Sequence, residues 1–433
     1  MAEDKKAKPK PIYKSYCTCT SLLYILAVIG IILAGAYYYV HYGCDLSNEH
    51  EEMDCSEIFR MKTLPMFFQW SIEWTQLLDS WGILDFKMSI RRSFDSMNVN
   101  TTHLFNTPNI TNLSILVQEW EHNGYNLYSY TPNELVGVSN QPVVIHLHGG
   151  GGVLFSPKYF DFTIRYLANS YKIKFIVPDY PKSPEVVFPT VHEFCLNAVK
   201  HVFENSKKFS IDPKRVSITG DSFGGHAGLY VSFKWRELGY YKKYAPILTL
   251  SLVYPWVQFV NTNLDSYRDS NNNNRLLSVR SIATFASFLI NGSLDLTDLI
   301  INQSLPKMSP NYKERQLAFP ELLPKIDWEP PQSMIEKYAS SADTIIDPYT
   351  CFLFQTDFSH LPPIYVISAG YDLLLSESIM LIQRMNESGV QVEHYVAEKM
   401  FHGFFAISKP MKTYSETFIG FEKLGKFLKK HNK

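Results

Sequence analysis

Residues 216–226 read VSITGDSFGGH, a β-type run that meets a glycine, an acid, a serine, an aromatic and two more glycines. Arg215 to Thr219 is β-branched and alternating, so it reads as a strand. Ala227 to Glu237 reads as a helix, with Leu229, Tyr230, Phe233 and Trp235 among its apolar positions. Between them lies G-x-S-x-G, here Gly220-Asp221-Ser222-Phe223-Gly224, followed by Gly225. A serine on a sharp strand-to-helix turn needs small residues two positions to either side. A Cβ there meets the adjoining strand or helix, and the strained turn lifts Oγ clear of the sheet. The same glycines also suit a plain bend. A nucleophilic Ser222 therefore requires an oxyanion donor, a base and an acid elsewhere in the chain.

Working outward, strands and helices alternate. Leu113–Trp120 and Tyr125–Tyr130 read as a β pair joined at Asn123-Gly124. Strands are expected at 143–147, 174–177, 216–219, 248–254, 364–368 and 390–396. Helices are expected at 160–171, 191–209, after Ser222, at 375–387 and at 415–429. Nearly continuous apolar strands in β-α repeats imply a mostly parallel sheet covered on both faces, an α/β architecture. From Trp256 to about Phe358 the rhythm breaks. That stretch is loop-rich, with Pro306, Pro310, Pro320, Pro324, Pro330 and Pro331, and reads as a cap inserted between two core strands.

The partners of Ser222 fall at strand ends. VVIHLHGGGG closes the 143–147 strand on His148-Gly149-Gly150-Gly151-Gly152. Consecutive glycines can turn their N–H groups toward a substrate with no side chain in the way, stabilising an alkoxide as it forms. A phosphate-binding loop fits less well, because no G-K-[ST] follows and the G-x-G-x-x-G spacing is not met. SAGYDLLLSES places Asp372 directly after the strand at 364–368, and EKMFHGFFAI places His402 after the one at 390–396. The chain order Ser222, Asp372, His402 suits a sheet of this kind. His402 Nε2 takes the Oγ proton, and Asp372 fixes its tautomer through Nδ1–H and stabilises the imidazolium. Taken singly, Asp372 also reads as a helix N-cap and His402 as a core histidine among Phe401, Phe404 and Phe405.

HGGG, GDSFGG, YDLL and FHGF, in this order, resemble the hormone-sensitive-lipase branch of the α/β-hydrolases, in the group of arylacetamide deacetylase and neutral cholesterol ester hydrolase. The resemblance runs from about residue 20 to residue 428. It implies an α/β-hydrolase fold with a cap behind one N-terminal transmembrane helix. It implies a type II anchor, a lumenal esterase domain, hydrolysis of lipid or aryl acyl esters, and no cofactor. By motif it makes Ser222, Asp372 and His402 the triad and the amides of Gly150, Gly151 and Phe223 the oxyanion donors. The chain departs from the family in places. Phe223 stands where alanine is usual, and its bulk is expected to narrow the acyl pocket. Gly152 stands where tryptophan is common. Asp179–Glu185, DYPKSPE, replaces N-Y-R-L-A-P-E, and Leu375 replaces an arginine.

The 433 residues are 45% hydrophobic and 15% aromatic, enough for a large core and an apolar pocket. Net charge is −1 and no basic block lies beyond the N-terminus, which argues against nucleic acid as a partner. Leu22 to Val40 carries no charge, long enough to cross a bilayer as a helix of ~19 residues. Lysines precede it, acids follow it, and Tyr37, Tyr38, Tyr39 and Tyr42 mark an interface. The expectation is a cytoplasmic tail at 1–20, an uncut signal-anchor at 21–42, linker and cap helices at 43–110 and the hydrolase domain at 111–433. Ala34-Gly35-Ala36 also resembles a signal-peptide cleavage site. Leu64 to Leu84 reads as a helix covering the core, or as a membrane-facing flap. Such a topology sets the domain in the lumen of the endoplasmic reticulum, or elsewhere along the secretory route or at the cell surface.

Asn100, Asn109, Asn112, Asn291, Asn302 and Asn386 are candidate glycosylation sites. Cys44, Cys55, Cys195 and Cys351 fall on the lumenal side, with three pairings open, and no cysteine or histidine spacing suits a metal. The expectation is a serine ester hydrolase acting on hydrophobic esters beside a lipid bilayer. A non-catalytic binding protein and an acyltransferase using the same acyl-enzyme stand as alternatives.

Overall fold

Along the strands Gln141–Leu147, Lys174–Pro178, Leu250–Val253 and Ile364–Tyr371 apolar residues divide between two cores, while the strand Ile211–Asp221 gives Val216 and Ile218 to one and buries Ser217 and Thr219 on the other face. The computed structural model describes residues 114–122, 124–269, 277–405 and 415–432. The expected tail, anchor and linker, Asn100, Asn109, Asn112, and Cys44 and Cys55 lie outside the described residues, as does the asparagine run 271–274. Among the described residues, no helix is long and apolar enough to cross a membrane.

In chain order the elements are β1 (Ile115–His122), β2 (Tyr125–Pro132), β3 (Gln141–Leu147), α1 (Asp161–Tyr171), β4 (Lys174–Pro178), α2 (Thr190–Glu204), β5 (Ile211–Asp221), α3 (Phe223–Glu237), α4 (Tyr240–Lys243) and β6 (Leu250–Val253). Then come α5 (Asp265–Arg268), α6 (Val279–Asn291), α7 (Thr297–Ile301), α8 (Tyr312–Ala318) and α9 (Gln332–Ile345). The chain closes with β7 (Ile364–Tyr371), α10 (Leu375–Glu387), β8 (Val392–Phe401) and α11 (Ser415–His431).

The eight strands lie in the order β1-β2-β4-β3-β5-β6-β7-β8. β2 pairs antiparallel with β1 and β4, and the remaining pairs are parallel. Ile145, Ile218, Leu250 and Ile364 stand in one row across the sheet. They belong to one core, with Val199 of α2, Leu229 and Trp235 of α3, and Leu381 of α10. Their neighbours Val144, Val253 and Ile367 belong to the other, with Ile164 and Leu167 of α1 and Phe421 and Leu424 of α11. Each such fully buried side chain contributes about 1.5–3 kcal/mol from the water it leaves. Period-2 chains buried on both faces can only sit in the middle of such a sandwich. The expected mostly parallel sheet with helices on both faces is therefore present.

Residues 254–363, between β6 and β7, keep long loops and add helices that the sequence pattern does not place. They fold into α5 to α9 with short 3₁₀ turns. Two of the prolines mark helix starts: Pro306 lies in the first turn of Leu305–Met308, and Pro331 is the N-cap of α9. Proline lacks an N–H, which a first helical turn does not need. α6 is buried all round from Ser281 to Ile290, its polar Ser281, Thr284 and Ser287 included. Ser278 caps it, accepting from the Ser281 amide at 3.1 Å.

Of the three cysteine pairings left open, the structure bears on the one that joins the two described cysteines. Cys195 and Cys351 are free thiols, fully buried, so the pairing between them does not form. Each sits in the first core, and burial pushes both thiols well above their usual range.

Candidate active site

β5 runs through Gly220-Asp221, and α3 starts at Phe223, four residues earlier than its apolar pattern suggests. Ser222 alone makes the turn, at φ 55° and ψ −121°, a conformation that L-residues hold only where surroundings enforce it. Here its amide donates to the Val253 carbonyl at 2.9 Å, and its own carbonyl accepts from Gly225 at 2.9 Å and Trp256 at 3.1 Å. A Cβ on Gly220 would overlap the Gly224 carbonyl, and one on Gly224 would overlap that of Leu147. These close approaches are why both positions are glycine.

Two other strand ends reach this turn. Asp372 follows β7 and His402 follows β8, which extends to Phe401. His402 Nε2 lies 2.9 Å from Ser222 Oγ, and its Nδ1 lies 2.8 Å from Asp372 Oδ2. Asp372 cannot donate when ionised, so Nδ1 carries the proton and Nε2 is left to accept from the serine hydroxyl. Asp372 also accepts the Leu374 amide on Oδ1 at 3.0 Å. The N-cap of α10 is Leu374, so Asp372 braces the loop before the helix on one oxygen and holds His402 with the other. All three side chains are buried, Ser222 being 8% exposed, His402 5% and Asp372 1%. The Tyr254 ring lies 4.7 Å from that of His402.

The glycine loop faces the same turn. Gly149 donates to Asp221 Oδ1 at 2.8 Å, so the acid beside the serine braces the loop. Gly151 has φ +64°, and a Cβ there would meet the ring of Phe285 in α6 at 2.7 Å. Among the described hydrogen bonds, the amides of Gly150, Gly151 and Phe223 donate to no protein acceptor. Such free amides beside a serine hydroxyl are what an oxyanion requires. His148 does not reach the serine. Its Nδ1 is 2.8 Å from the Gly149 carbonyl, its ring stacks on Tyr180 at 4.2 Å, and burial holds it well below its usual pKa. It shapes the loop from beneath, together with the Tyr180 hydroxyl, which donates to the His148 carbonyl at 2.7 Å.

Phe223 was expected to narrow a pocket. Its ring is instead fully buried, 5.1 Å from His192 and 5.9 Å from Tyr180. A Cβ on Gly152 would come within 3.0 Å of it and 2.7 Å of Leu289. The two departures are thus one exchange: the aromatic bulk comes from the nucleophile helix and the glycine makes room.

Asn302 and Asn386 are exposed, whereas Asn291 is half-buried and accepts the Ser293 amide at 3.1 Å. Among the described residues, no three His, Cys, Asp or Glu side chains are grouped to hold a metal. Sequence reasoning missed His226 and Glu377. His226, at the start of α3, has Nδ1 3.0 Å from the Trp256 carbonyl and Nε2 3.1 Å from that of Tyr349. Two carbonyls favour a protonated ring, but burial is the larger effect and pushes the pKa down to about 4. The partners of both residues lie beyond the reach of any local motif.

A family model described as the alpha/beta hydrolase fold matches residues 144–324 and 307–406. Arylacetamide deacetylase of Bos taurus is 28% identical over 311 residues, covering 69% of this chain and 77% of that protein. Neutral cholesterol ester hydrolase 1 of Bos taurus is 27% identical over 284 residues, covering 60% and 66%. A solved esterase from Rhizomucor miehei superimposes with a TM-score of 0.60 at 22% identity, over 81% of this chain and 91% of that one. That last likeness concerns the fold.

Proposed function

We propose, since this chain belongs to the alpha/beta-hydrolase fold family and is a carboxylesterase-type hydrolase, that Ser222, His402 and Asp372 carry its reaction. Ser222 Oγ attacks the ester carbonyl carbon while His402 Nε2 takes its proton. The carbonyl oxygen becomes an alkoxide held by the amides of Gly150, Gly151 and Phe223, each donor worth about 10²–10³ in rate. His402 then protonates the departing alcohol, leaving an acyl-serine. Water, deprotonated by the same imidazole, attacks the acyl carbon and releases the acid. Asp372 holds the ring and offsets its positive charge throughout. The observation that carries this reading is the continuous chain of two hydrogen bonds, 2.9 and 2.8 Å, from Ser222 through His402 to Asp372.

The substrates are hydrophobic acyl esters, of lipid or aryl acetyl type. The names of the relatives, a deacetylase and a cholesterol ester hydrolase, support that class. The helices of residues 254–363 act as the cap, since Phe285 and Leu289 of α6 lie against the glycine loop. With residues 21–42 as a signal-anchor, the domain works in the lumen of the endoplasmic reticulum, beside the bilayer that holds such esters. A fluorophosphonate probe tests the mechanism, because it phosphonylates only an activated serine. The wild-type chain should label and Ser222→Ala should not. A folded wild type that stays unlabelled, or a Ser222→Ala that still labels, rejects the assignment.

A further inference from the structure

Glu377 is a fully buried carboxylate five positions after Asp372. Its Oε1 accepts the Val257 amide at 2.6 Å, and its Oε2 accepts Gln258 Nε2 at 2.8 Å and the Tyr267 hydroxyl at 3.0 Å. Val257 and Gln258 directly follow Trp256, whose amide donates to the carbonyl of Ser222 at 3.1 Å. Ser266 stitches the same two stretches together. Its hydroxyl donates to the Leu373 carbonyl, and its amide donates to Ser376 Oγ at 2.9 Å. One carboxylate therefore joins the segment that supports the serine turn to the helix that follows the triad acid. All three partners donate, so both oxygens must accept, which a carboxylate does and an amide, with one oxygen and an NH2, does not.

The titratable groups facing Glu377 are Asp372 from its own loop, Tyr267 from α5 and Cys351 from the stretch before β7. None of them is a cation. We infer that Glu377 is a positioning residue for the reaction, whose ionisation sets a second negative charge behind Asp372 and so stabilises the His402 imidazolium of the transition state. This rests on the Ser222–His402–Asp372 reading above. Burial, with a smaller contribution from the charge of Asp372, pushes the Glu377 carboxyl up to about 8. Its three donors oppose that rise, because each favours the charged form. The group thus changes charge near pH 8, and it does so behind the pair that must accept a positive ring.

The test is the pH profile of kcat for 4-nitrophenyl acetate with the full chain, per site titrated by fluorophosphonate. The wild type should show a second rise of about threefold centred near pH 8, from the added charge. Glu377→Gln should lack that rise and stay at the lower plateau. Tyr267→Phe should keep it but move it upward by about one unit, since the charged form loses a donor. Tyr267→Phe decides alone if Glu377→Gln does not fold. A wild type with no second rise overturns the inference. So does a second rise unmoved in Tyr267→Phe or retained in Glu377→Gln. Failure of the wild type to take up fluorophosphonate would instead sink the triad itself, so the two failures are distinct.

Discussion

The turn at Ser222 and the helices of residues 254–363 both border the triad, and they are built in opposite ways. The turn has near neighbours in sequence at its centre, Gly220 against Gly224 and the Ser222 carbonyl against the Gly225 amide, with Leu147, Val253 and Trp256 closing on it from elsewhere in the chain. The helical insertion is held by distant partners: Val257 by Glu377, the Tyr349 carbonyl by His226, Phe285 by Gly151. A short-range device has a fixed residue signature, whereas a long-range one accepts many residues at each end of its contacts. The recognisable residues therefore sit on the turn, and the insertion carries no comparable signature.

The sharpest division comes from Asp372→Asn, which keeps the shape of the loop but favours the wrong histidine tautomer. Its kcat should fall by about 10⁴, read per titrated site, with thermal unfolding little changed. A loss under tenfold would mean that the His402 ring is held by packing alone. Glycine substitutions compare the two regions in stability. Gly224→Ala drives a Cβ into the Leu147 carbonyl and should cost roughly 3–5 kcal/mol in denaturant unfolding. Gly292→Ala, past the end of α6, has its Cβ 3.4 Å from the Pro184 carbonyl at φ +73°, and should cost only about 1 kcal/mol. Equal costs would erase the contrast between tight turn and tolerant insertion.

A smaller effect probes the contact between the regions. Phe285→Ala removes the ring that backs Gly151 and should lower kcat about tenfold with KM within about twofold, because the oxyanion amides lose their support and not the substrate its pocket. A change confined to KM would place Phe285 in substrate binding instead.

Acid gives the smallest and broadest signal. Burial keeps His148, His192 and His226 neutral well below their usual value of 6.5, His226 to about 4. Unfolded, each takes a proton near pH 6.5; folded, each refuses it until far lower. Stability is thus full above pH 6.5 and is lost as pH falls toward 4. Neither ring nitrogen of His192 has a hydrogen-bond partner among the described residues. His192→Leu should therefore leave stability at pH 7.5 unchanged or raised by about 1 kcal/mol, and flatten the slope below pH 6.5. Denaturant midpoints from pH 4.5 to 7.5 measure both, and a slope as steep as the wild type's would mean that His192 charges without cost in the fold.

Much of the frame was legible along the chain. Ile145, Phe175 and Val366 sit in short runs of apolar residues that only a doubly covered strand explains, Ile218 sits in an alternating one, and the observed strands fall where those runs do. The three side chains that meet at Ser222 each lie at a strand end, next to residues with a recognisable pattern. The insertion was less legible because α6 is buried on every side, its serines and threonine included, and α9 buries only Ala342 and Ile345, so the burial of neither helix can be read from its own polar and apolar pattern. The departures at Phe223 and Gly152 were visible as residues but not as a pair, since they lie far apart in the chain and meet only in space.

By itself the sequence determined the strand pattern, the turn at Ser222 and the order of serine, acid and histidine, because each depends on steric rules between neighbours a few positions apart. Only the tertiary structure decided that Asp221 braces the glycine loop, that Glu377 ties the cap to the acid's helix, and that Cys195 and Cys351 stay reduced. Those outcomes depend on which distant groups end up within 3 Å once water is gone. A buried donor or charge takes whatever partner the packing brings to it, and no local pattern specifies that partner.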